Sequence, residues 1–308
     1  MTRQLMSVVE RTRLLRLCHD VRWLVLWAFL FVPALVCRVQ GAEAGPNQAP
    51  KTIVFLGGVK THGPGAHEHL KGALLLKKCL DTASNRPHIK TRLYLDTWPK
   101  DPAELDDAAT IVLFWEGWGR HLVNRRSSEK VQKLDQLMKR GVGLVCFHAA
   151  TAVEDNVEEF FLDWVGGNKK IGYSLHPMAR NINVSLASLT HPICKGVKPM
   201  RFPEEEFYCK IFFRPGEKRV TPILTALLPP DRPEEQVVGW ACERAGGGRA
   251  FACTGPHYHA SFQDENFRRL ALNAVLWTAR IDVPQSGVQS AVGPDDFRTT
   301  TVPKPSKP

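Results

Sequence analysis

A chain of 308 residues that is 44% hydrophobic and 23% charged can bury a substantial core, and its composition excludes a disordered or fibrous protein. The formal net charge of +10 includes +3 from residues 1–44, which hold six Arg and three acidic residues, leaving +7 on the remainder. The basic residues of the remainder are scattered (Lys77, Lys78, Arg125, Arg126, Lys169, Lys170) and no nucleic-acid motif accompanies them. They therefore describe a solvated surface and not a nucleic-acid footprint.

The first 44 residues have the order of a secretory leader. Arg3, Arg11, Arg13, Arg16 and Arg22 precede an apolar run from Trp23 to Cys37, and Ala42-Glu43-Ala44 follows. This order predicts a signal peptide over residues 1–44, cleaved before Gly45, and an exported protein, periplasmic or secreted, with no membrane attachment once the leader is removed. The apolar run is shorter than the roughly 20 residues of a membrane span and carries Pro33, which makes a retained anchor the weaker reading. Beyond the leader stand Cys79, Cys146, Cys194, Cys209, Cys242 and Cys253, none in a C-x-x-C pair, which argues against a cysteine zinc knuckle. An oxidising compartment permits disulfides, but Cys146 and Cys253 lie inside apolar strand-like runs that suit buried free thiols.

After a short linker, KTIVFLGG (Lys51–Gly58) reads as a buried strand entering a glycine turn. A helix is predicted from His67 to Asp81, and an alternating strand over HIKTRLYL (His88–Leu95). ATIVLFWEG (Ala109–Gly117) is a second apolar strand. Ser128–Arg140 is an amphipathic helix with Val131, Leu134, Leu137 and Met138 on one face and Gly141 as its stop. GVGLVCFHAA (Gly141–Ala150) is a third apolar strand. Apolar strands separated by helical patterns indicate a parallel sheet with helices on both faces. From Asn181 to Leu228 the pattern is rougher, with short strands and many prolines. Gln236–Glu243 and Arg249–Gly255 read as a hairpin, Asn266–Arg280 as a closing helix, and 284–308 as an extended tail.

In open α/β sheets ligands bind beyond the carboxyl ends of the strands. Here those ends carry histidine: His62, His67 and His69 (with Glu68) after the first strand, His148 after GLVCF, and His257 and His259 after RAFACTG. Histidine is both a common metal ligand and a proton carrier near neutral pH. His148 ends an apolar strand and is followed by Ala149 and Ala150, the setting of a sharp turn that exposes a reactive side chain. His67 and His69 share a metal only if their loop or first helical turn is irregular, since positions i and i+2 of a helix face different ways. The triplet Glu204-Glu205-Glu206 is either a solvated loop or a source of one carboxylate turned into the pocket. Trp115, Trp118, Tyr173, Tyr208 and Tyr258 lie near these segments, and such faces suit sugar rings as well as cores.

Seven segments, in order, resemble the ThuA-like (trehalose-utilisation-like) family: His62–Gly72, Gly141–Ala150, Phe161–Gly167, His191–Val197, Glu205–Tyr208, Gly246–His259 and Phe267–Ala279. The resemblance spans residues 51–283. It implies a fold similar to class I glutamine amidotransferases, a flavodoxin-like, doubly wound, mainly parallel sheet with helices on both faces. It places His148 where those enzymes carry their cysteine nucleophile and His257 near their catalytic histidine, so glutaminase chemistry is not expected. The family's D-E-[F/W]-Y segment is EEFY here: Glu205 replaces the aspartate and Glu206 matches the glutamate. The resemblance further implies a small-molecule carbohydrate substrate, a glycoside or keto-sugar.

Two functions follow as expectations. One is an enzyme of carbohydrate metabolism, a hydrolase, lyase or isomerase, with His148, Glu206 and His257 as catalytic residues. In it His67 and His69 ligate a divalent metal such as zinc, and His62, Trp118, Tyr208 and His259 contact substrate. The other is a sugar-binding or scaffold protein that keeps the pocket without the chemistry. Assembly into a homo-oligomer is compatible with either.

Overall fold

The computed structural model describes residues 49–85 and 87–298. The leader read over residues 1–44 lies outside them, and no helix among the described residues is long and apolar enough to cross a membrane. Eleven strands and four helices follow in chain order. These are β1 (Lys51–Gly57), α1 (His69–Asp81), β2 (Ile89–Leu95), β3 (Ala108–Phe114), α2 (Glu129–Lys139), β4 (Gly143–Phe147), α3 (Asp155–Val165), β5 (Gly167–Asn168), β6 (Met178–Leu186), β7 (Met200–Glu206), β8 (Phe212–Phe213), β9 (Val220–Leu228), β10 (Glu234–Glu243), β11 (Arg249–Cys253) and α4 (Glu265–Thr278).

Nine strands form one sheet in the order β2-β1-β3-β4-β11-β10-β9-β6-β7, and β5 pairs with β8 apart from it. The first five are parallel. Their order is the flavodoxin-like one, with the crossover reversal between β1 and β3. The hairpin β10–β11 turns the direction, and β10, β9, β6 and β7 extend the sheet antiparallel.

Strand alternation decides which helices cover which face. Ile53, Phe55, Val112, Phe114, Val145 and Phe147 point to the side packed by α1 and α4. Val54, Leu56, Ile111, Leu113, Leu144 and Cys146 point to the side packed by α2 and α3. Both faces of these strands are buried, which is why they read as unbroken apolar runs. The helix ends follow local chemistry. The Ser128 side chain accepts from the Val131 N–H at 3.3 Å, and Asp264 accepts from Phe267 N at 2.9 Å. Gly141, at φ +89°, takes the left-handed turn that ends α2.

One expectation changes. The rough stretch from Asn181 to Leu228 holds β7, the nine-residue β9 and most of the nine-residue β6, which begins at Met178. One face of β6 is open, so its apolar residues alternate, and β7 tolerates Pro203 because it is the sheet's edge. The extended tail is tied down over its described part: Val288 is buried, Asn273 Oδ1 accepts from Val288 N at 2.9 Å, and Asp296 pairs with Lys78.

All six cysteines beyond the leader are free and buried. Burial pushes the thiols up, Cys253 to about 12 and Cys146 further, so neither offers a thiolate near neutral pH. The structure therefore predicts that Cys146→Ala costs about 1–2 kcal/mol of stability through lost packing, read as a lower urea midpoint, with ligand and metal binding unchanged. Loss of function in a still-folded Cys146→Ala protein would reverse this view of the thiol.

Candidate functional site

Four parallel strands deliver the site. The loop after β1 brings His62 and His67, and the turn after β3 brings Glu116 and Trp118. His148 follows β4 directly, and the turn after β11 brings His257. Gly117 lets the β3 turn approach its neighbour, since a Cβ there would lie 2.9 Å from the Ala149 carbonyl. From the far end of the sheet, β7 runs in with Glu205 and Glu206, and Tyr208 follows.

His148 is the hub. Its backbone is left-handed, φ +49°, as are those of His67 (φ +45°) and Trp118 (φ +49°). Non-glycine residues held there cost about 1–3 kcal/mol each and concentrate at functional sites. His148 Nδ1 lies 2.6 Å from the Thr254 carbonyl oxygen, which can only accept, so this nitrogen carries the hydrogen. Nε2 is then a bare acceptor. Around it stand His67 Nε2 at 3.1 Å, His257 Nδ1 at 3.1 Å, Tyr208 Oη at 3.2 Å and Glu206 Oε1 at 3.9 Å. Burial, with His67 and His257 adding their repulsion, holds His148 well below the ordinary histidine value and keeps it neutral. Burial likewise lowers His257 to about 4, again reinforced by His67.

His67 is oriented in the same way. Its Nδ1 faces Glu116 Oε2 at 3.1 Å, leaving Nε2 toward His148. Burial opposes ionisation of Glu116. Hydrogen bonds from His67 and Thr61, the nearby His69 and the Gly117 N–H outweigh it and hold this carboxyl far below its usual range. Glu116 is thus a fixed anion behind His67.

Glu205 is fully buried and serves architecture. It accepts from the N–H of His257 and of Glu206, each at 2.8 Å, and from the Ser261 hydroxyl, so it ties β7 to the His257 turn. Glu206, half-buried, instead faces His148 and His257, at 3.9 and 4.0 Å. Burial raises its pKa against the pull of His67 and Lys169. Neighbouring carboxylates of one strand point to opposite sides, and the triplet divides accordingly: Glu204 is exposed, Glu205 structural, Glu206 in the pocket.

The sequence-predicted residues separate into groups. His67, His148, His257, Glu206 and Tyr208 meet. His69 opens α1 and is buried beside Glu116, but its Nε2 stays 3.8 Å from that carboxylate, and it is not one of the three nitrogens at the hub. His62 stacks on His67 with ring centroids 3.6 Å apart and its side chain 48% exposed, at the mouth. Trp118 lies over Lys169. His259 turns to the C-terminal segment, with Nε2 on the Asp296 carbonyl at 3.0 Å and its ring against Phe297.

Glu116 and Lys169 were not among the sequence candidates. Glu116 follows β3 as the histidines follow β1, β4 and β11, so the strand-end rule covers it. Lys169 is 3% exposed, with Nζ 3.7 Å from the Trp118 ring centre and 5.1 Å from that of Tyr208. Its position follows from Asn168, whose side chain bonds Val153 N and Glu158, and from Lys169 N donating to the Thr151 carbonyl.

Residues 59–278 match the ThuA family, described as trehalose utilisation. This chain belongs to the ThuA family. A search of curated proteins returns no sequence match. Among solved structures, the chain is similar to a protein described as ThuA-like from Bacteroides uniformis ATCC 8492, with TM-score 0.54 and 17% identity over 78% of this chain and 96% of that one. It is also similar to one from Parabacteroides merdae ATCC 43184, with TM-score 0.57 and 15% identity over 82% and 99%. At such identities the likeness establishes a shared fold. Of the carboxylates in EEFY, the second, Glu206, is the one that enters the pocket.

Replacing Glu205 tests the architectural role. Burial raises the Glu205 carboxyl to about 7. Glu205→Ala leaves the N–H groups of His257 and Glu206 and the Ser261 hydroxyl without this acceptor, and each buried polar group left unpaired costs about 1–3 kcal/mol. Chemical denaturation is expected to show a loss of roughly 3 kcal/mol or more. A loss under about 1 kcal/mol would mean that water or a neighbour replaces the carboxylate without difficulty.

Proposed function

We propose that this ThuA protein is a metal-assisted enzyme acting on a carbohydrate, a glycoside or keto-sugar, and that His67, His148 and His257 hold the divalent cation. The observation that carries the reading is the convergence of His67 Nε2, His148 Nε2 and His257 Nδ1. The outer nitrogens of His67 and His148 are occupied by Glu116 and the Thr254 carbonyl, so the two inner nitrogens face each other 3.1 Å apart. Two imidazole nitrogens at that distance need a positive centre between them, a proton on His67 or a metal ion, and the third nitrogen, from His257, favours the metal. Nitrogens bound at 2.0–2.1 Å in a tetrahedral zinc site stand roughly 3.3 Å from one another, which fits this spacing. A carboxylate and a carbonyl behind the ligating rings are the usual outer partners of metal-bound imidazoles.

Such a cation supplies a Lewis acid for a sugar carbonyl or hydroxyl oxygen. The remaining steps belong to the chain. Glu206, next to the three nitrogens and not hydrogen-bonded to them, is placed to take a proton from carbon or from a hydroxyl. Tyr208, whose hydroxyl contacts His148 Nε2, is kept protonated by burial and by Glu206, and serves as a hydrogen-bond donor. Trp118 offers an aromatic face at the entrance. Export follows from the leader and belongs to the same proposal, with the mature chain beginning near Gly45 in the periplasm or outside the cell.

Elemental analysis of the purified chain, grown with zinc and other divalent ions supplied, is expected to find about one divalent ion per chain. His148→Ala and His257→Ala should each abolish it and His69→Ala should not, while Glu116→Gln weakens it by about 10-fold or more. In a turnover screen of oxidised and ordinary disaccharides, Glu206→Gln should lower kcat by about 100-fold or more with metal content intact. A metal-free wild-type protein, or a His148→Ala protein that keeps its ion, would sink the assignment.

A further inference from the structure

Lys169 presents an imbalance that the proposed chemistry does not use. Its side chain is buried, and among the described residues it forms no ion pair. Its one polar contact is His176 Nδ1 at 3.5 Å. The remainder of its surroundings is aromatic, the faces of Trp118 and Tyr208. Glu206 attracts the ammonium without contact, and a cation taken from water with no directly paired counter-charge is destabilising even when aromatic rings offset part of the loss. Beside it, Trp118 Nε1 is a buried N–H with no acceptor. Two hydrogen-bond donors therefore lack acceptors in one place, and Tyr208 connects that place to His148 through a ring stack of 4.5 Å. Burial lowers Lys169 to about 8 against the pull of Glu206, which leaves it mostly charged at neutral pH.

We propose that Lys169 and Trp118 Nε1 form a subsite for an anionic oxygen group on the sugar, so that the substrate is a sugar acid or a sugar phosphate and not a neutral sugar. This inference rests on the carbohydrate reading of the site and narrows it. The anion completes two sets of donors at once: it neutralises the ammonium and accepts from the indole N–H. The sugar ring then extends toward His148 and Glu206, past the aromatic wall of Trp118 and Tyr208. His176, at the open side of Lys169, bounds the subsite. A buried, unpaired charge held in place at the expense of stability is the expected signature of a ligand-binding residue.

Calorimetric titration of the full mature chain with glucuronate, glucose 6-phosphate and glucose tests the idea and separates the two sources of charge. At least one of the two anions should bind about 30-fold more tightly than glucose. Lys169→Met should remove that preference, and Trp118→Phe, which keeps the aromatic face and deletes the N–H, should reduce it. Because Lys169→Met replaces an unpaired charge with an apolar chain of similar length, its thermal midpoint should stay level or rise. Equal binding of anionic and neutral sugars, no binding of either anion, or an unchanged preference in Lys169→Met would overturn the proposal. So would a large fall in the midpoint of that variant, which would mark Lys169 as structural. Metal content measured on the same samples keeps the two readings apart: an anion preference without bound metal would leave the subsite standing and remove the metal.

Discussion

The hydrogen bond from His148 Nδ1 to the Thr254 carbonyl constrains the whole site. A carbonyl cannot donate, so the bond chooses the tautomer, and the tautomer turns the lone pair of Nε2 inward. Everything else at the hub is arranged around that lone pair. Glu116 does for His67 what Thr254 does for His148, and the fully buried Glu205 holds the turn from which His257 reaches in. Two other histidines, His121 buried and His191 half-buried, show the contrast. His121 places Nε2 on the Ala150 carbonyl and accepts from Val123 N, so both of its ring nitrogens are satisfied by backbone. His191 accepts from Ile193 N, where it caps a short helical turn. In each, the ring completes local structure. At the hub, His67 and His148 are satisfied on their outer sides and turn their inner nitrogens toward each other, where His257 joins them.

Much of this arrangement was legible in the sequence. Strands buried on both faces betray themselves as apolar runs, and a parallel sheet sends all of its strand ends to one edge, so His62, His67, His148 and His257 could be gathered before any coordinates. What could not be read was which nitrogens would face each other. The backbone of His67 is left-handed at φ +45° and α1 begins only at His69, so the H-E-H segment straddles a break in conformation. Spacing alone cannot say that the first histidine joins the hub and the second stops beside Glu116. The same holds for Glu205 and Glu206: strand alternation separates them, but only the identity of the strand's neighbours decides which one faces His148.

Lys169 was the hardest residue to find from sequence. Lysine is nearly always solvated, and Lys169-Lys170 looks like an ordinary basic surface pair. Lys170 behaves that way, bonded to Glu158 at the surface. Lys169 goes inward because its own N–H is held by the Thr151 carbonyl, three residues beyond His148, and because Asn168 is pinned to Val153 and Glu158. A tertiary frame imposed by the β4 turn thus reverses the preference of the side chain.

The same β4 turn explains how the His148 side chain is presented at the sheet edge. A strand that ends in a left-handed residue throws that residue's side chain above the sheet edge, clear of the strand's own packing. At His148 the small neighbours Ala149 and Ala150 leave room for the turn, and Thr151 closes it by donating its hydroxyl to the His148 carbonyl at 2.6 Å. An imidazole is longer than a thiol or hydroxyl and has two functional ends. Its near end reaches the β11 turn and is spent on orientation, and only its far end reaches the pocket. A side chain used in this way is suited to ligation, since its one free nitrogen is turned toward His67, His257 and Tyr208. Cys146, two residues earlier, cannot take over that task, because it lies within β4 and is buried among α2 and α3. The turn at the end of β4 therefore presents an imidazole at the sheet edge with one nitrogen fixed by backbone and the other turned into the pocket.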